Sequence, residues 1–375
     1  MIAAAALLAA LFAADAPSPS PMQLGVNTHF DQNWPRTALN KVAEASASSI
    51  RDTVTWGKVE AQPGVYRFTD ANSGYVDSAC QQGLQVLLMI APRNDLYDGG
   101  MAVFSPAGQQ ALGRYIGAII DRFPCVTAIE VGNEINTAST KWPLTADKPA
   151  MYVSMLRAVR AELDNKSRRV ALLGGSSIGV SVPFHKRLFA AGELAVIDGV
   201  AVHPYINNPD LLPGQLARLQ QAMLLFGASK PIWATEFGNY YKSPDVAPPH
   251  ALKVITVMSA AGIDHAYWYA LLDEPWFPNM GLFSSTGPKP ALATFQLAVR
   301  TLLTAGNARA LPFADSTAHV YRYGQGSYVM WGNGTPIHYP AGARALDAAG
   351  HDIALPPVLT SQPIVVTAVG DVSVG

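Results

Sequence analysis

At 375 residues, with 49% hydrophobic and 14% charged side chains, the chain has material for one large core and a small appendage. Its formal net charge of −1 excludes the basic footprint of a nucleic-acid binder and the charge excess of a disordered tail. A neutral or mildly charged partner is expected.

Residues 2–14 form an almost unbroken Ala/Leu run, followed by Asp15, Ala16 and a Pro/Ser stretch to Pro21. The run has the length of the apolar part of a secretory signal and is too short to span a bilayer. Ala14-Asp15-Ala16 has the small-x-small form of a cleavage site, but no Lys or Arg precedes Arg36, so the positive n-region is missing. Residues 1–20 are read as a signal and short linker, and the mature chain as exported to periplasm or medium without a membrane span. The alternative is a cytosolic chain with an Ala-rich frayed helix.

Thereafter apolar runs of strand length alternate with helix-period segments, the pattern of βα units around a parallel sheet. Strands are predicted over residues 24–27, 49–54, 85–91, 128–132, 170–174, 199–203, 231–236 and 265–269. Helices are predicted over 37–46, 71–82, 106–122, 150–163, 213–225, 247–260 and 290–303. Eight strands predict an α/β fold, a (β/α)8 TIM barrel over residues 21–304, since a doubly wound sheet more often stops at about five to seven. Cys80 and Cys125, the two cysteines, each sit just ahead of a predicted strand, hence near one end of the barrel. A disulfide in an exported chain and two buried thiols are both open. Beyond residue 303 short alternating runs at 319–323, 327–333 and 364–369 are broken by Gly, Asn and Pro. They predict a small antiparallel, β-sandwich-like accessory domain over 305–375, packed on the barrel, with Gly324-Gln325-Gly326 as a hairpin turn.

A TIM barrel brings the C-terminal ends of its strands to one mouth, so the polar residue closing each apolar run is the natural candidate for chemistry. Strand one runs into Asn27 and His29, and strand two carries Arg51 and leads to Trp56. Strand four, in AIEVGNEIN at 128–136, ends in Asn133 and Glu134, and strand six ends in His203-Pro204-Tyr205. Strand seven, PIWAT at 231–235, ends in Glu236, and strand eight carries Trp268 and Tyr269. Two strand-end glutamates suit retaining cleavage of a glycosidic bond, which takes one carboxylic acid to protonate the leaving oxygen and one carboxylate to attack the anomeric carbon. Glu130, earlier on strand four and facing the same side as Glu134, is read as a structural acid with a partner inside the barrel.

Two rival classes compete. Gly175-Ser176-Ser177-Ile178-Gly179 matches G-x-S-x-G between a strand and a helix, which makes a serine esterase with Ser177 as nucleophile the rival enzyme. No HGGG-like segment accompanies it, and it leaves both glutamates unexplained. The third reading is a non-catalytic polysaccharide-binding barrel, against which the presence of both carboxylates speaks. His185 and His250 are read as surface residues. No Cys/His cluster has zinc-ligand spacing, so neither metal nor organic cofactor is expected.

With these pieces in order, the chain resembles the clan A retaining glycoside hydrolases, and within the clan glycoside hydrolase family 39, particularly short bacterial members associated with exopolysaccharide systems. The resemblance rests on GVNTHF at 25–30, SIRDTVTWGKVEAQPGVYRF at 49–68, IEVGNE at 129–134, VAVHPY at 200–205, TEFG at 235–238 and GLFSSTGPKPAL at 281–292. It implies Glu134 as acid/base, Glu236 as nucleophile and Asn133 as partner of the sugar 2-hydroxyl. Arg51 and Tyr205 would hold Glu236 ionised and aimed, His203 would orient the strand-six edge, and Trp268 would form the floor. Many relatives have Trp where this chain has Gly132 and Pro where it has Ile135, and strand three ends in Ala91-Pro92-Arg93-Asn94 without the histidine of some clan members. These departures bear on the substrate and leave the reaction type standing. Expected is a monomer that cuts within a bacterial exopolysaccharide, with segments 93–100 and 273–279, including Trp276, lining a groove. An exo-acting β-xylosidase-like enzyme is the alternative, and the two carboxyls should lie about 5 to 5.5 Å apart.

Overall fold

The protein is seen in a computed structural model that describes residues 20–138, 141–143, 147–313 and 317–374; the expected signal segment falls almost wholly outside them. Eight parallel strands close into a barrel: β1 (Gln23–Asn27), β2 (Ser49–Asp52), β3 (Gln85–Ile90), β4 (Val126–Val131), β5 (Ala171–Ile178), β6 (Gly199–His203), β7 (Ile232–Phe237) and β8 (Ile263–Trp268). Each pairs with its successor, and β8 returns to β1. Besides a single turn at Trp56–Val59, the helices outside it are α1 (Leu39–Glu44), α2 (Asp70–Gln81), α3 (Pro106–Arg122), α4 (Lys148–Leu163), α5 (Val182–Ala190), α6 (Leu212–Leu225), α7 (Ala247–Ala260) and α8 (Pro290–Leu297). This is the predicted (β/α)8 barrel.

α5 lies outside the predicted helices, because its nine residues give the 3.6 period only about two and a half turns in which to show. The last predicted helix, 290–303, divides into α8, a π turn at Ala298–Leu302 and a 3-10 turn at Leu303–Ala305. Helix starts follow local chemistry: Ser105 caps α3 by accepting from the Gly108 amide, with Pro106 in the first turn, where a missing N–H costs nothing.

Leu87, Ala128, Leu173, Ala201, Trp233 and Tyr267 point inward and fill the barrel. Because side chains alternate along a strand, the residue two positions on also points inward, one layer nearer the C-terminal mouth. That layer holds Met89, Glu130, His203, Thr235 and Tyr269. At the other end a disulfide joins Cys80, near the end of α2, to Cys125, just before β4, which decides the open choice between bridge and free thiols.

The C-terminal region forms a six-stranded sheet of order β9-β10-β11-β14-β12-β13, from β9 (Arg309–Leu311), β10 (His319–Tyr323), β11 (Ser327–Trp331), β12 (Arg344–Leu346), β13 (Asp352–Ile353) and β14 (Ile364–Thr367). Gly324-Gln325-Gly326 turns the hairpin between β10 and β11, with Gly324 at φ 52. Tyr321, Tyr323 and Trp331 pack into the core shared with the barrel, whereas Val320, Tyr328, Met330 and Val366 form a second core on the other face. Among the described residues, no helix is long and apolar enough to cross a membrane.

Candidate active site

The mouth of the barrel opens into a cavity of about 530 Å³ whose wall includes Asn27, His29, Arg51, Asn133, Glu134, Tyr205, Glu236 and Tyr269. Backbone irregularities aim the two glutamates. Ala234 pairs with Ala266 and Phe237 with Trp268, so β7 carries one residue more than β8 over this span. This bulge breaks the alternation, and the adjacent Thr235 and Glu236 both reach inward, to Glu130 and Arg51 respectively. After β4 the chain turns through Gly132 at φ 83, where a Cβ would stand 2.6 Å from Ile135 Cγ2. Glu134 itself sits at φ 44, a left-handed conformation that a side chain disfavours. The Ile135 amide on Ser176 O (3.0 Å) and the Thr137 amide and hydroxyl on Glu134 O (both 2.9 Å) hold the turn.

Arg51, 5% exposed, organises the floor. Its Nε donates to Glu130 (2.7 Å), Nη1 to Asn27 (2.8 Å) and Glu236 (2.8 Å), and Nη2 to Asn133 Oδ1 (2.9 Å). Because that bond requires an acceptor, it fixes the Asn133 amide and leaves Nδ2 as a donor at the cavity wall. The Tyr205 hydroxyl donates to Glu236 Oε2 at 2.7 Å. His203 Nδ1 lies 3.2 Å from Glu134 Oε1 and 3.5 Å from Glu236 Oε2, while Nε2 is 3.7 Å from Glu130 Oε1, a charge contact too long for a hydrogen bond.

Burial alone would raise the Glu236 carboxyl, but the His203 imidazolium, the Arg51 guanidinium and the Tyr205 hydroxyl outweigh it and hold it below the ordinary carboxylate range. Glu130 is likewise buried, yet Arg51 and His203 bring it down to about 2. For His203 burial opposes the charge, and Glu236, Glu130 and Glu134 around it still raise it to about 9. His29 is different: burial dominates and lowers it to about 4, so its ring is neutral beside Glu274, 3.6 Å away. Glu134, His203 and Glu236 each offer a ligand atom, all within 4.8 Å of one another, the spacing of a metal cage. Glu236 already faces the Arg51 guanidinium at 2.8 Å, a cation in the place where a metal ion would compete for the same carboxylate.

The structure thus brings Glu134, Glu236, Asn133, His29, Arg51 and Tyr205 to one cavity, with the fully buried His203 directly beneath it. It does not bring Trp56 and Trp268 there, and it brings Trp276 only to the rim, beside Tyr269. Trp56 is 1% exposed and stacks between Tyr97 and Tyr115, at 5.3 and 5.6 Å. Trp268 does not form the floor: it points outward, meets Phe237 edge-on at 5.4 Å and donates Nε1 to Met280 O. Trp276, 59% exposed, stands outside the cavity wall, which Phe277 and Tyr240 line instead. Tyr269 takes the place expected of Trp268. The signal available was phase: with Tyr267 inside the barrel, alternation puts 269 and not 268 in the mouth.

Ser177 is no nucleophile elbow. It lies within β5, fully buried, its hydroxyl 2.9 Å from both Gly179 O and His185 Nε2. Donation to the carbonyl makes Ser177 the acceptor from an Nε2–H tautomer, which has no lone pair to take the serine proton. His185 is buried and half-buried His250 bonds Ile206 O and the Tyr241 hydroxyl, so neither is a surface residue; both sit on helix faces turned inward.

No family model and no curated protein matches the sequence. Solved structures do. A family 39 glycoside hydrolase from Bacteroides cellulosilyticus superposes with a TM-score of 0.76 at 18% identity, over 93% of this chain and 81% of that one. The catalytic domain of family 30 xylanase C from Talaromyces cellulolyticus gives 0.65 at 12% identity, over 94% and 98%. A monomeric β-xylosidase from Caulobacter crescentus gives 0.61 at 16%, over 87% and 76%. With eight parallel strands, a C-terminal β-sheet and these neighbours, the chain has the fold of the clan A glycoside hydrolases of families 39 and 30.

Proposed function

We propose that the protein is a retaining glycoside hydrolase acting on β-glycosidic bonds of a polysaccharide, with Glu236 as nucleophile and Glu134 as acid/base. The observation that carries this is the proximity: one carboxylate oxygen of Glu134 and one of Glu236 lie within 4.8 Å of each other, too close for a water to sit in line between the two groups. Inverting enzymes leave about 6.5 to 9.5 Å for a water, whereas double displacement brings the pair to about 5 to 5.5 Å. Electrostatics support the nucleophile's role. Two cations, Arg51 and His203, balance two ionised carboxylates, Glu130 and Glu236. Glu236 is therefore ready to attack, and Glu134, whose Oε1 faces His203, shares the cavity wall with it as the acid/base. Attack by Glu236 forms a bond to the anomeric carbon as the glycosidic C–O bond breaks. Glu134 then takes a proton from water, whose oxygen displaces Glu236. Asn133 Nδ2 is placed as a donor to the sugar 2-hydroxyl.

Exposed Tyr240, Trp276 and Phe277 around the mouth offer stacking faces to a long glycan, which supports action within a bacterial exopolysaccharide. Exo trimming is the second reading, favoured by the β-xylosidases among the structural neighbours. The disulfide supports export to an oxidising compartment. We read the chain as a monomer, in keeping with the monomeric neighbour.

The test compares Glu134→Gln and Glu236→Gln. On polymers each should lose at least about a hundredfold in kcat. An aryl glycoside whose leaving group needs no protonation should still react with Glu134→Gln and not with Glu236→Gln. First-formed product of inverted anomeric configuration, or a Glu236→Gln protein as fast as wild type, would overturn the reading. An early viscosity drop separates cutting within a chain from end trimming.

A further inference from the structure

Beside the catalytic cavity lies a second one of about 380 Å³, and Met89 and Asn133 line both. Among the described residues its wall carries two cations, Arg93 and Lys141, against apolar Ile135 and Trp142, and no acidic side chain. Among the described residues neither Arg93 nor Lys141 has an ion-pair partner. Both are exposed. Their backbones are nevertheless built into one wall, since the amides of Ala102 and Val103 bond to Lys141 O (2.8 Å) and Pro92 O (2.9 Å). Trp142 is 9% exposed and covered by Lys148, whose ammonium, 5.2 Å from the ring centre, donates to the carbonyls of Ile135 and Thr137. Gly132 contributes no side chain to this wall, and its place is hemmed by Ile135.

Among the described residues, this wall beside the proposed cleavage point carries two cations without ion-pair partners and no anion, a setting that favours negative charge. We propose that it is a subsite for an acidic sugar, so that the substrate is an anionic glycan whose charged residue lies beside the one cleaved. The proposal rests on the glycosidase reading above. The group recognised is a uronate carboxylate or an ester sulfate, either of which the Arg93 fork can take in a bidentate grip while Lys141 supplies a point charge.

The experiment measures kcat/KM of wild type and of the double variant Arg93→Gln/Lys141→Gln on matched polymers: a uronate-containing glycan and its carboxyl-reduced form, and a sulfated glycan and its desulfated form. Wild type should prefer one charged polymer over its neutral counterpart by about tenfold, as two solvent-exposed ion pairs allow. That preference should shrink toward unity in the variant and in high salt. The arm showing the preference identifies carboxylate or sulfate. Equal cleavage of charged and neutral forms by wild type, or a preference unchanged in the variant, would overturn the subsite and leave the glycosidase standing. If wild type cleaves no polymer, the glycosidase reading fails, and affinity electrophoresis decides the subsite. Retardation by a charged glycan that the variant loses supports it, and retardation by none removes it.

Discussion

At the scale of residues, the site is a contest over protons. Arg51 alone contacts Asn27, Glu130, Asn133 and Glu236, so one guanidinium ties strands β1, β2, β4 and β7 to a common charge. His203 is its counterpart from β6. We expect His203→Gln to move the acidic limb of the kcat/KM profile to higher pH, because removing a cation 3.5 Å from Glu236 favours the protonated carboxyl. An unmoved acidic limb would show that His203 does not set the ionisation of Glu236. The same group links stability to pH. Folded His203 keeps its proton to about 9 against an ordinary 6.5, so its contribution is whole below pH 6.5 and is lost as pH rises through about 9. These couplings join residues up to 185 positions apart, and no local pattern encodes them.

At the scale of elements, the strands and most helices were legible because their periods are local: β4 and β7 are apolar runs ended by acids, and α3 shows its cap and its stripe. What escaped depends on phase. The β7 bulge adds a residue that turns Glu236 inward, and strand eight presents Tyr269, not the adjacent Trp268, to the cavity. The bridge between α2 and the start of β4 closes a loop with a sequence separation of 45, which constrains the unfolded chain. Cys80→Ser/Cys125→Ser should lower unfolding free energy by about 2 to 4 kcal/mol in denaturant titration. A loss under about 0.5 kcal/mol would mean that the native state gains nothing from the cross-link.

At the scale of the molecule, the C-terminal sheet is bound into the barrel's own core. Trp331 is 1% exposed, stacks on His319 and Tyr321, donates to Asp210 at 2.9 Å and lies beneath Lys253 of α7. We expect Trp331→Ala to cost about 3 to 5 kcal/mol and to lower a single cooperative unfolding transition, read by circular dichroism and calorimetry together. Two separated transitions would show that sheet and barrel unfold independently.

Hydrophobic periodicity and turn residues act over a few positions, so the alternation of eight strands with helices, the hairpin-rich C-terminal region and the acids at strand ends could all be read along the chain. Which side chains at the barrel mouth face the cavity was settled by the tertiary structure, through packing between strands. It placed Trp56 and Trp268 in the core and Ser177 under a helix, paired Cys80 with Cys125, and set Glu134 and Glu236 across one cavity. The physical reason is that bulges, side-chain phase and buried charge pairs are settled between strands far apart in the chain, where each choice depends on what the opposite wall already holds.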